Sequence, residues 1–290
     1  MQNHVHGVSL LPASSVRLDS RQEVAMKIKA NGVSMNYQIK GKGNNLVLIH
    51  GAGDNLNMWY HQVPVFSKSY RVITYDVRGS GKTESPECEH SISLFAEDAY
   101  QLMKAIKVQD AYFLGYSMGG RIALELTLSH PDLVNALILA NSSIGLAPPS
   151  PEGIERRRVM LELLDKGDIK AFAEMMTTNA FSLGFRSKNP AEFEKYMKVK
   201  SQNQPQGLVR MMRSLSVPAS PPDLGKVKCP VLLIVGENDA YTGVEQGQRA
   251  QEAIVGSRLV VLPTGHAAAI ELPERFNSAV LEFLSGIRGG

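Results

Sequence analysis

Short apolar runs alternate with amphipathic stretches along most of this 290-residue chain. The apolar runs are nearly continuous, and each is followed by a segment whose apolar residues recur at helical spacing. Such runs predict strands buried on both faces, and the segments between them predict helices covering a parallel sheet. The predicted strands are 46–50, 71–76, 111–116, 135–140, 230–236 and 258–263, and the predicted helices lie near 56–67, 93–107, 118–129, 244–255 and 273–285.

The N-terminal part departs from this alternation. Residues 24–43, "VAMKIKANGVSMNYQIKGKG", predict two strands around Asn31-Gly32, a dipeptide typical of a tight hairpin turn. Residues 1–23 have no clear period, and we expect them to form a mobile tail.

A second departure lies at 146–220, where no strand pattern occurs. Proline-rich stretches, "LAPPSPEG" and "VPASPPD", bound helical patterns near 152–165, 168–180, 190–202 and 205–216. The block interrupts a core formed by 24–145 and 221–290. Its Met and Phe residues are either the core of a small helical subdomain or the wall of a cap over a site, and both interpretations can hold. These residues are Met175, Met176, Phe181, Met211 and Met212.

Composition narrows the function classes. The chain is 43% hydrophobic and 20% charged with a formal net charge of +3, as in ordinary globular proteins. No basic run suggests a nucleic-acid partner, and no apolar run approaches a membrane span. The two cysteines suit a reducing cytoplasm, and no Cys/His spacing suggests zinc. We expect a cytoplasmic protein without a metal or other cofactor.

The stretch "DVRGSGKT" at 76–83 resembles a phosphate-binding loop at first sight. A phosphate loop needs glycine five residues before Gly81, but that position holds Asp76, whose carboxylate repels phosphate. The polar, turn-like "ESPECEH" follows where an apolar helix should begin. These departures argue against nucleotide binding.

The sharpest chemical signal is "GYSMGG" at 115–120, which places Ser117 between a predicted strand and a predicted helix. In that context the pattern G-x-S-x-G predicts a nucleophilic serine on a tight, strained turn. The flanking glycines leave room for the turn, since side chains there would meet the neighbouring strand and helix.

A serine hydroxyl needs a base, and the base needs an acid to orient it. His266 lies between the last predicted strand and the last helix, at the edge of the sheet where Ser117 is expected. Asp239 follows the preceding strand by three residues, and Glu237 is its rival. We favour Asp239, because its longer reach carries the carboxylate towards the serine.

The developing oxyanion needs preformed N–H donors. The backbone of Met118, next to the nucleophile, should supply one. The loop "HGAGDN" should supply the other from Ala52, because Gly51 and Gly53 let its backbone approach a substrate closely. We expect His50 to orient this loop by a hydrogen bond.

The motifs "HGAG", "GYSMGG", "GEND" and "GH" resemble the α/β-hydrolase superfamily in order and spacing over residues 24–290. The resemblance implies an α/β-hydrolase fold: a mostly parallel eight-stranded sheet, helices on both faces and a helical cap inserted after strand 6. It also identifies 76–83 with the superfamily's D-x-R-G-x-G-x-S loop, with Thr83 in the final place. Asp76 and Arg78 should then tie down a strand-end turn by hydrogen bonds.

The stretch "NMWYHQVPVFSKSYRVITYDVRGSG" is similar to the 3-oxoadipate enol-lactonase and carboxylesterase branches, although "NDAYTG" lacks the Thr-Pro pair frequent in lactonases. The sequence therefore predicts a hydrolase of small-molecule esters or lactones with a Ser117–His266–Asp239 triad. Two alternatives stay open. One is hydrolysis of C–C bonds in meta-cleavage products, and the other is a ligand receptor with little turnover.

Overall fold

A computed structural model describes residues 26–145, 150–215 and 222–288. The predicted tail at 1–23 lies outside the described residues, as do 146–149 and 216–221, which hold much of the two proline-rich stretches. Eight strands form one sheet, confirming the predicted fold class. They are β1 (Met26–Ala30), β2 (Val33–Lys40), β3 (Asn45–Ile49), β4 (Arg71–Tyr75), β5 (Ala111–Tyr116), β6 (Val134–Ala140), β7 (Val231–Gly236) and β8 (Arg258–Leu262).

The strand order is β1-β2-β4-β3-β5-β6-β7-β8. Strands β1, β2 and β4 pair antiparallel in succession, and every later pairing is parallel. The predicted hairpin is confirmed, since Asn31 and Gly32 both take the positive φ of a tight turn, at 45° and 78°. The parallel strands bring the loops after β3, β5, β7 and β8 to one edge of the sheet.

Helices cover both faces of this sheet, as the apolar strands require. They are α1 (Val63–Phe66), α2 (Ile92–Ala105), α3 (Met118–Ser129), α4 (Pro151–Asp165), α5 (Ile169–Ala180), α6 (Phe185–Lys188), α7 (Pro190–Lys200), α8 (Pro205–Ser214), α9 (Val244–Ala253), α10 (Ala268–Glu271) and α11 (Pro273–Arg288). Val47 and Ile49 of β3 pack in the cluster that includes α2, α3 and α9. Leu46 and Leu48 point to the opposite face and pack in the cluster that includes α1 and α11. Among the described residues, no helix is both long and apolar enough to cross a membrane.

The prediction of one helix over 56–67 is wrong. The structure has a 3₁₀ turn at Leu56–Trp59 and then α1, which is only four residues long. Pro64 explains the break, because it has no N–H to donate and its ring would meet the carbonyl of Tyr60 in a continuous helix. The Asn55 side chain caps the 3₁₀ turn by accepting from the backbone N–H of Asn57.

Helices α4 to α8 lie between β6 and β7, where the sequence predicts a helical block. The sequence does not predict the short α6, which follows a glycine at positive φ, Gly184. Met175, Met176 and Met212 pack in a cluster formed largely by the block's own helices. Met211 and Phe181 instead pack in the two clusters that contain the sheet. The block is therefore packed onto the sheet as well as onto itself.

The loop at 76–83 is held by buried charges, as the resemblance implies. The Asp76 carboxylate accepts hydrogen bonds from the backbone N–H groups of Leu56 and Lys82, both at 2.8 Å. Arg78 donates two bonds to Asp98 of α2, at 2.7 and 2.5 Å. A side chain at Gly81 would overlap the Asp76 carboxylate, and Gly81 has a φ of +50°. The glycine allows the loop to close around its own buried acid.

We expect Gly81→Ala to lower the free energy of unfolding by about 3 kcal/mol, since it adds a steric clash to left-handed backbone strain. Gly256→Ala is the matched control, because Gly256 has a φ of +78° and no atom lies within 4 Å of the place that an added Cβ would take. The control should cost only about 1 kcal/mol. Urea unfolding followed by circular dichroism measures both values, and equal losses would contradict the assigned clash.

Candidate active site

Ser117 lies between β5 and α3 with a φ of 53° and a ψ of −116°. Non-glycine residues hold such a conformation only where the surrounding structure imposes it. A Cβ atom at Gly119 would overlap the carbonyls of Ile49 and His50, so the start of α3 lies directly against the end of β3. The turn is further held by the Ser142 hydroxyl, which donates to the carbonyl of Ser117 at 2.8 Å.

Two predicted partners lie in line with this serine. The Nε2 atom of His266 is 2.9 Å from the Ser117 Oγ atom, and Nδ1 of His266 is 2.8 Å from an Asp239 carboxylate oxygen. Because a carboxylate only accepts hydrogen bonds, Nδ1 of the neutral ring carries the proton. Nε2 is then free to accept the proton of the serine hydroxyl. The rings of Tyr116 and Tyr241 pack beside His266, with centroids 5.2 and 4.7 Å from its own.

Asp239 is buried and receives donors on both carboxylate oxygens. One oxygen accepts from the backbone N–H groups of Tyr241 and Thr242, and the other accepts from Asn141 Nδ2 and the Thr242 hydroxyl. Burial alone would raise the pKa of this carboxyl. The positive charge that the His266 ring carries when it is protonated and the hydrogen bond that it donates, with the donors of Thr242 and Asn141, outweigh burial and hold the pKa of Asp239 well below its ordinary value.

Asn141 and Thr242 are site residues that sequence reasoning missed. Asn141 directly follows β6 and has a φ of 47°, a conformation that asparagine tolerates better than most residues. The sequence feature that could have pointed to Asn141 is a polar residue directly after a predicted buried strand. The rival acid, Glu237, is exposed, and its backbone N–H pairs with the carbonyl of Leu262. The structure therefore brings Asp239 and not Glu237 to His266.

His50 holds the loop that follows β3, as the sequence predicts. Its Nδ1 atom donates to the carbonyl of Gly51 at 2.8 Å, and its Nε2 atom accepts the backbone N–H of Val77 at 2.9 Å. This pairing needs a neutral ring with the proton on Nδ1. Burial lowers the pKa of His50, against the opposing charge of Asp76, and so favours that neutral form.

The peptide between Gly51 and Ala52 is fixed from one side. Its carbonyl accepts from His50 and also from the backbone N–H of Asp54, at 3.2 Å. The C=O and N–H of a trans peptide point in opposite directions, so the two bonds also fix the direction of the Ala52 N–H. Met118 is the first residue of α3, and its N–H lies outside the helix's own hydrogen-bond pattern. Both predicted donors thus lie at the sheet edge that carries Ser117.

Helices of the inserted block contact the loops of this edge. The Phe172 ring and the Met176 methyl group lie 3.3 to 3.4 Å from the position a Cβ atom would occupy on Gly53. The Arg156 guanidinium lies 4.3 Å from the centre of the Tyr241 ring, which in turn packs beside His266. These contacts place α4 and α5 next to both the Ala52 loop and the histidine.

Other histidines have partners or surroundings away from Ser117. His61 is 2.9 Å from a carboxylate oxygen of Glu192, and His130 stacks on Tyr100. His90 is buried, and burial lowers its pKa to about 4. Within the residues that the structure describes, no group of three or more His, Cys, Asp or Glu side chains is arranged to hold a metal ion.

Comparison with known proteins identifies the family of this chain. Residues 44–273 match the family described as alpha/beta hydrolase fold. The 3-oxoadipate enol-lactonase 2 of Acinetobacter baylyi is 30% identical over 255 residues, which cover 87% of this chain and 94% of that protein. The 2-hydroxy-6-oxo-6-(2'-aminophenyl)hexa-2,4-dienoic acid hydrolase of Metapseudomonas resinovorans is 29% identical over 267 residues, covering 89% and 90%.

Among solved structures, the enol-lactonase of Burkholderia xenovorans LB400 superposes with a TM-score of 0.83 at 28% identity. The match covers 90% of this chain and all (100%) of that one. The superfamily inferred from the four motifs is thereby confirmed. The chain is a hydrolase that belongs to the alpha/beta hydrolase fold family, and enol-lactonases are among its relatives.

Proposed function

We propose that this protein is a serine hydrolase that cleaves a carboxylic ester or a lactone through an acyl-enzyme on Ser117. One observation carries the proposal: a continuous line of hydrogen bonds from Ser117 Oγ through His266 to Asp239, at 2.9 and 2.8 Å. A serine hydroxyl is unreactive without a base in reach, and an imidazole needs an acid to hold its tautomer. The three side chains satisfy both requirements at a strained turn.

In the proposed acylation, Ser117 Oγ attacks the substrate carbonyl while His266 Nε2 takes its proton. Asp239 stabilises the imidazolium that forms, and its depressed pKa keeps it ionised throughout. The N–H groups of Ala52 and Met118 bind the oxyanion, where preformed donors contribute most to the rate. Collapse of the intermediate expels the alkoxide, which receives the proton from His266.

Deacylation repeats the same steps with water as the nucleophile. His266 takes a proton from water, the hydroxide adds to the acyl carbonyl, and Ser117 leaves with the proton returned to its oxygen. With an ester the alcohol has already departed. With a lactone the alcohol stays attached to the acyl group, so the product leaves as one hydroxy acid.

We further propose that 146–220 acts as a cap over the site and that the core comprises 24–145 and 221–290. Contacts of α4 with the loop of Asp239, and of α5 with the loops of Ala52 and His266, support this role. The apolar cluster beside Ala52 suits a small-molecule substrate with a hydrocarbon part. That cluster includes Met160, Leu164, Phe172, Met175, Met176, Leu208, Met212 and Tyr241. A cytoplasmic location stays a prediction of the sequence.

Hydrolysis of a C–C bond in a meta-cleavage product is the second candidate. The 29% identical relative from Metapseudomonas resinovorans, named as a hydrolase of a dienoic acid, favours it. A panel of p-nitrophenyl esters of increasing acyl length, enol and saturated lactones, and 2-hydroxy-6-oxo-dienoates separates the two. We expect the highest kcat/KM on an ester or lactone; a dienoate that exceeds both by tenfold would reverse the ranking.

Ser117→Ala should lower kcat for p-nitrophenyl acetate at least about 10³-fold, because it removes the hydroxyl that lies 2.9 Å from His266 Nε2. A fluorophosphonate probe should label the wild-type protein at Ser117, seen by mass spectrometry, and leave the variant unlabelled. Ser129→Ala, at the far end of α3, is the control and should keep full activity. Retention of turnover by Ser117→Ala would refute the mechanism.

Asp239→Asn should lower kcat about 10⁴-fold, since an amide in this place favours the wrong imidazole tautomer. It should also change the dependence of stability on pH. The pKa of Asp239 is lower in the folded state than its value of about 3.9 in the unfolded state. The ionised carboxylate therefore stabilises the fold fully above the unfolded-state pKa, and this stabilisation is lost as the pH falls towards and through the folded-state pKa.

The difference in free energy of unfolding between wild type and Asp239→Asn should therefore be constant from about pH 7 to 5 and shrink below about pH 4. Urea unfolding at each pH measures this difference. Glu237→Gln removes an exposed carboxylate of the same loop and should change neither activity nor the pH profile. A loss of activity in that control would indicate that Glu237, and not Asp239, is the acid.

A further inference from the structure

In the loop that carries Ala52, three consecutive residues, Gly53 to Asn55, bond to the inserted block. Asn203 Nδ2, in the turn after α7, donates to the carbonyl of Gly53 at 2.8 Å. The Asn55 side chain donates to the carbonyl of Val199 at 2.7 Å. Between them, the Asp54 carboxylate pairs with a lysine of the same block. Each bond joins residues about 150 positions apart in sequence.

The lysine is Lys200, whose Nζ atom lies 2.5 Å from Asp54 Oδ1. Both side chains are buried, with 2% and 1% exposed. Such a pair is rigid, because separating its charges would leave each one desolvated and unpaired. For the same reason either partner is a poor subject for mutation, since its loss would destabilise the whole fold. Asn203 offers the cleaner contact, because it is buried and neutral.

Two peptide units connect Asn203 to the Ala52 N–H. The Gly53 carbonyl that accepts from Asn203 belongs to the same rigid peptide as the Asp54 N–H. The Asp54 N–H donates to the Gly51 carbonyl at 3.2 Å, and that carbonyl belongs to the same peptide as the Ala52 N–H. Each unit is planar, so the orientation set at Asn203 passes through Asp54 to Ala52. Hydrogen bonds in such a chain also polarise one another.

Asn203 has two further bonds that a test must separate from the first, and one of them is a bond from its Nδ2 atom to the carbonyl of Lys200 at 3.1 Å, within the block. In the other, the Asn203 Oδ1 atom accepts the backbone N–H of Gly81 at 2.7 Å, which ties the same side chain to the 76–83 loop. The amide is therefore shared between two core loops, and its orientation is fixed because one loop offers a carbonyl and the other an N–H. An aspartate in this place would keep the acceptor for Gly81 and lose the donor for the carbonyls of Gly53 and Lys200.

We propose that Asn203 is a positioning residue for the oxyanion hole: it aims the Ala52 N–H through the Gly53–Asp54 peptide and thereby makes the inserted block part of the catalytic apparatus. The inference rests on the proposed serine-hydrolase function. A purely structural role, fastening the block to the core, would instead change stability or substrate binding and leave the chemical step intact.

The test compares Asn203→Ala and Asn203→Asp with wild type on p-nitrophenyl acetate and with phenylboronic acid, which adds to the nucleophile as a tetrahedral mimic of the transition state. We expect kcat to fall about 10- to 100-fold in both variants with KM within about twofold, as for a misplaced catalytic group. The affinity for the boronic acid should fall by the same factor, because its oxygen occupies the oxyanion hole.

Gln202→Ala is the matched control. Gln202 accepts a hydrogen bond from Asn57 at 3.1 Å, an exposed contact between the same block and the core that does not involve Gly53. This variant should keep wild-type kcat and boronic-acid affinity. Circular dichroism and thermal unfolding establish that each variant is folded, and the near-isosteric Asn203→Asp carries the test if Asn203→Ala does not fold.

Wild-type kcat in both Asn203 variants, or a loss confined to KM, would overturn the proposal. Full activity in Asn203→Asp with a loss in Asn203→Ala would overturn it too, because the Gly81 bond would then be the one that matters. The proposed function fails by a different result: a wild type without ester or lactone turnover, or an active Ser117→Ala. If the wild type is active and Ser117→Ala is inactive, the proposed function holds, and the results for the Asn203 variants then test only the positioning role of Asn203.

Discussion

The positive φ of Ser117 is the constraint on which the site depends. A serine does not adopt it unaided, and here it is imposed by packing: α3 begins so close to β3 that only glycine fits at position 119. The same closeness sets the spacing between Ser117 and the loop that follows β3. The strain at Ser117 and the position of the Ala52 loop are therefore consequences of one contact. From the neighbouring loops, His266 needs only to reach the Ser117 hydroxyl, and Asp239 needs only to reach His266.

Buried charged side chains hold the 76–83 loop and the β1–β2 turn in place, as apolar packing holds the sheet. Asp76 organises its own loop from inside, and Asp98 of α2 joins Arg78 to the Asn31 side chain of the β1–β2 turn. Breaking a buried pair by removing one partner costs about 3 to 5 kcal/mol, so these loops are held about as firmly as core elements. Such rigidity suits the catalytic role proposed for this edge of the sheet, because preformed donors stabilise a transition state without reorganising.

The sheet and the proximity of Ser117, His266 and Asp239 can be predicted from the sequence, because each depends on a pattern within a short stretch of the chain. A buried strand is a short apolar run, and each site residue follows such a run in a recognisable motif. The failures are long-range or depend on one residue. Pro64 splits a helix that periodicity favours. Lys200 is typical of an exposed helix end, and only the fold shows that it is buried against Asp54.

The inserted block meets the site in two chemically different ways. Its apolar side chains, such as Phe172 and Met176, pack against Gly53 of the loop that carries Ala52, and Phe172 is fully buried, so a smaller residue there would leave a cavity. Its polar contacts go to the loop that carries Ala52: Lys200 pairs with the Asp54 carboxylate, and Asn203 donates to the Gly53 carbonyl. Loss of either contact would leave a buried polar group unpaired. One insertion thus meets the Ala52 loop through apolar packing and through buried polar bonds, and both hold that loop in place.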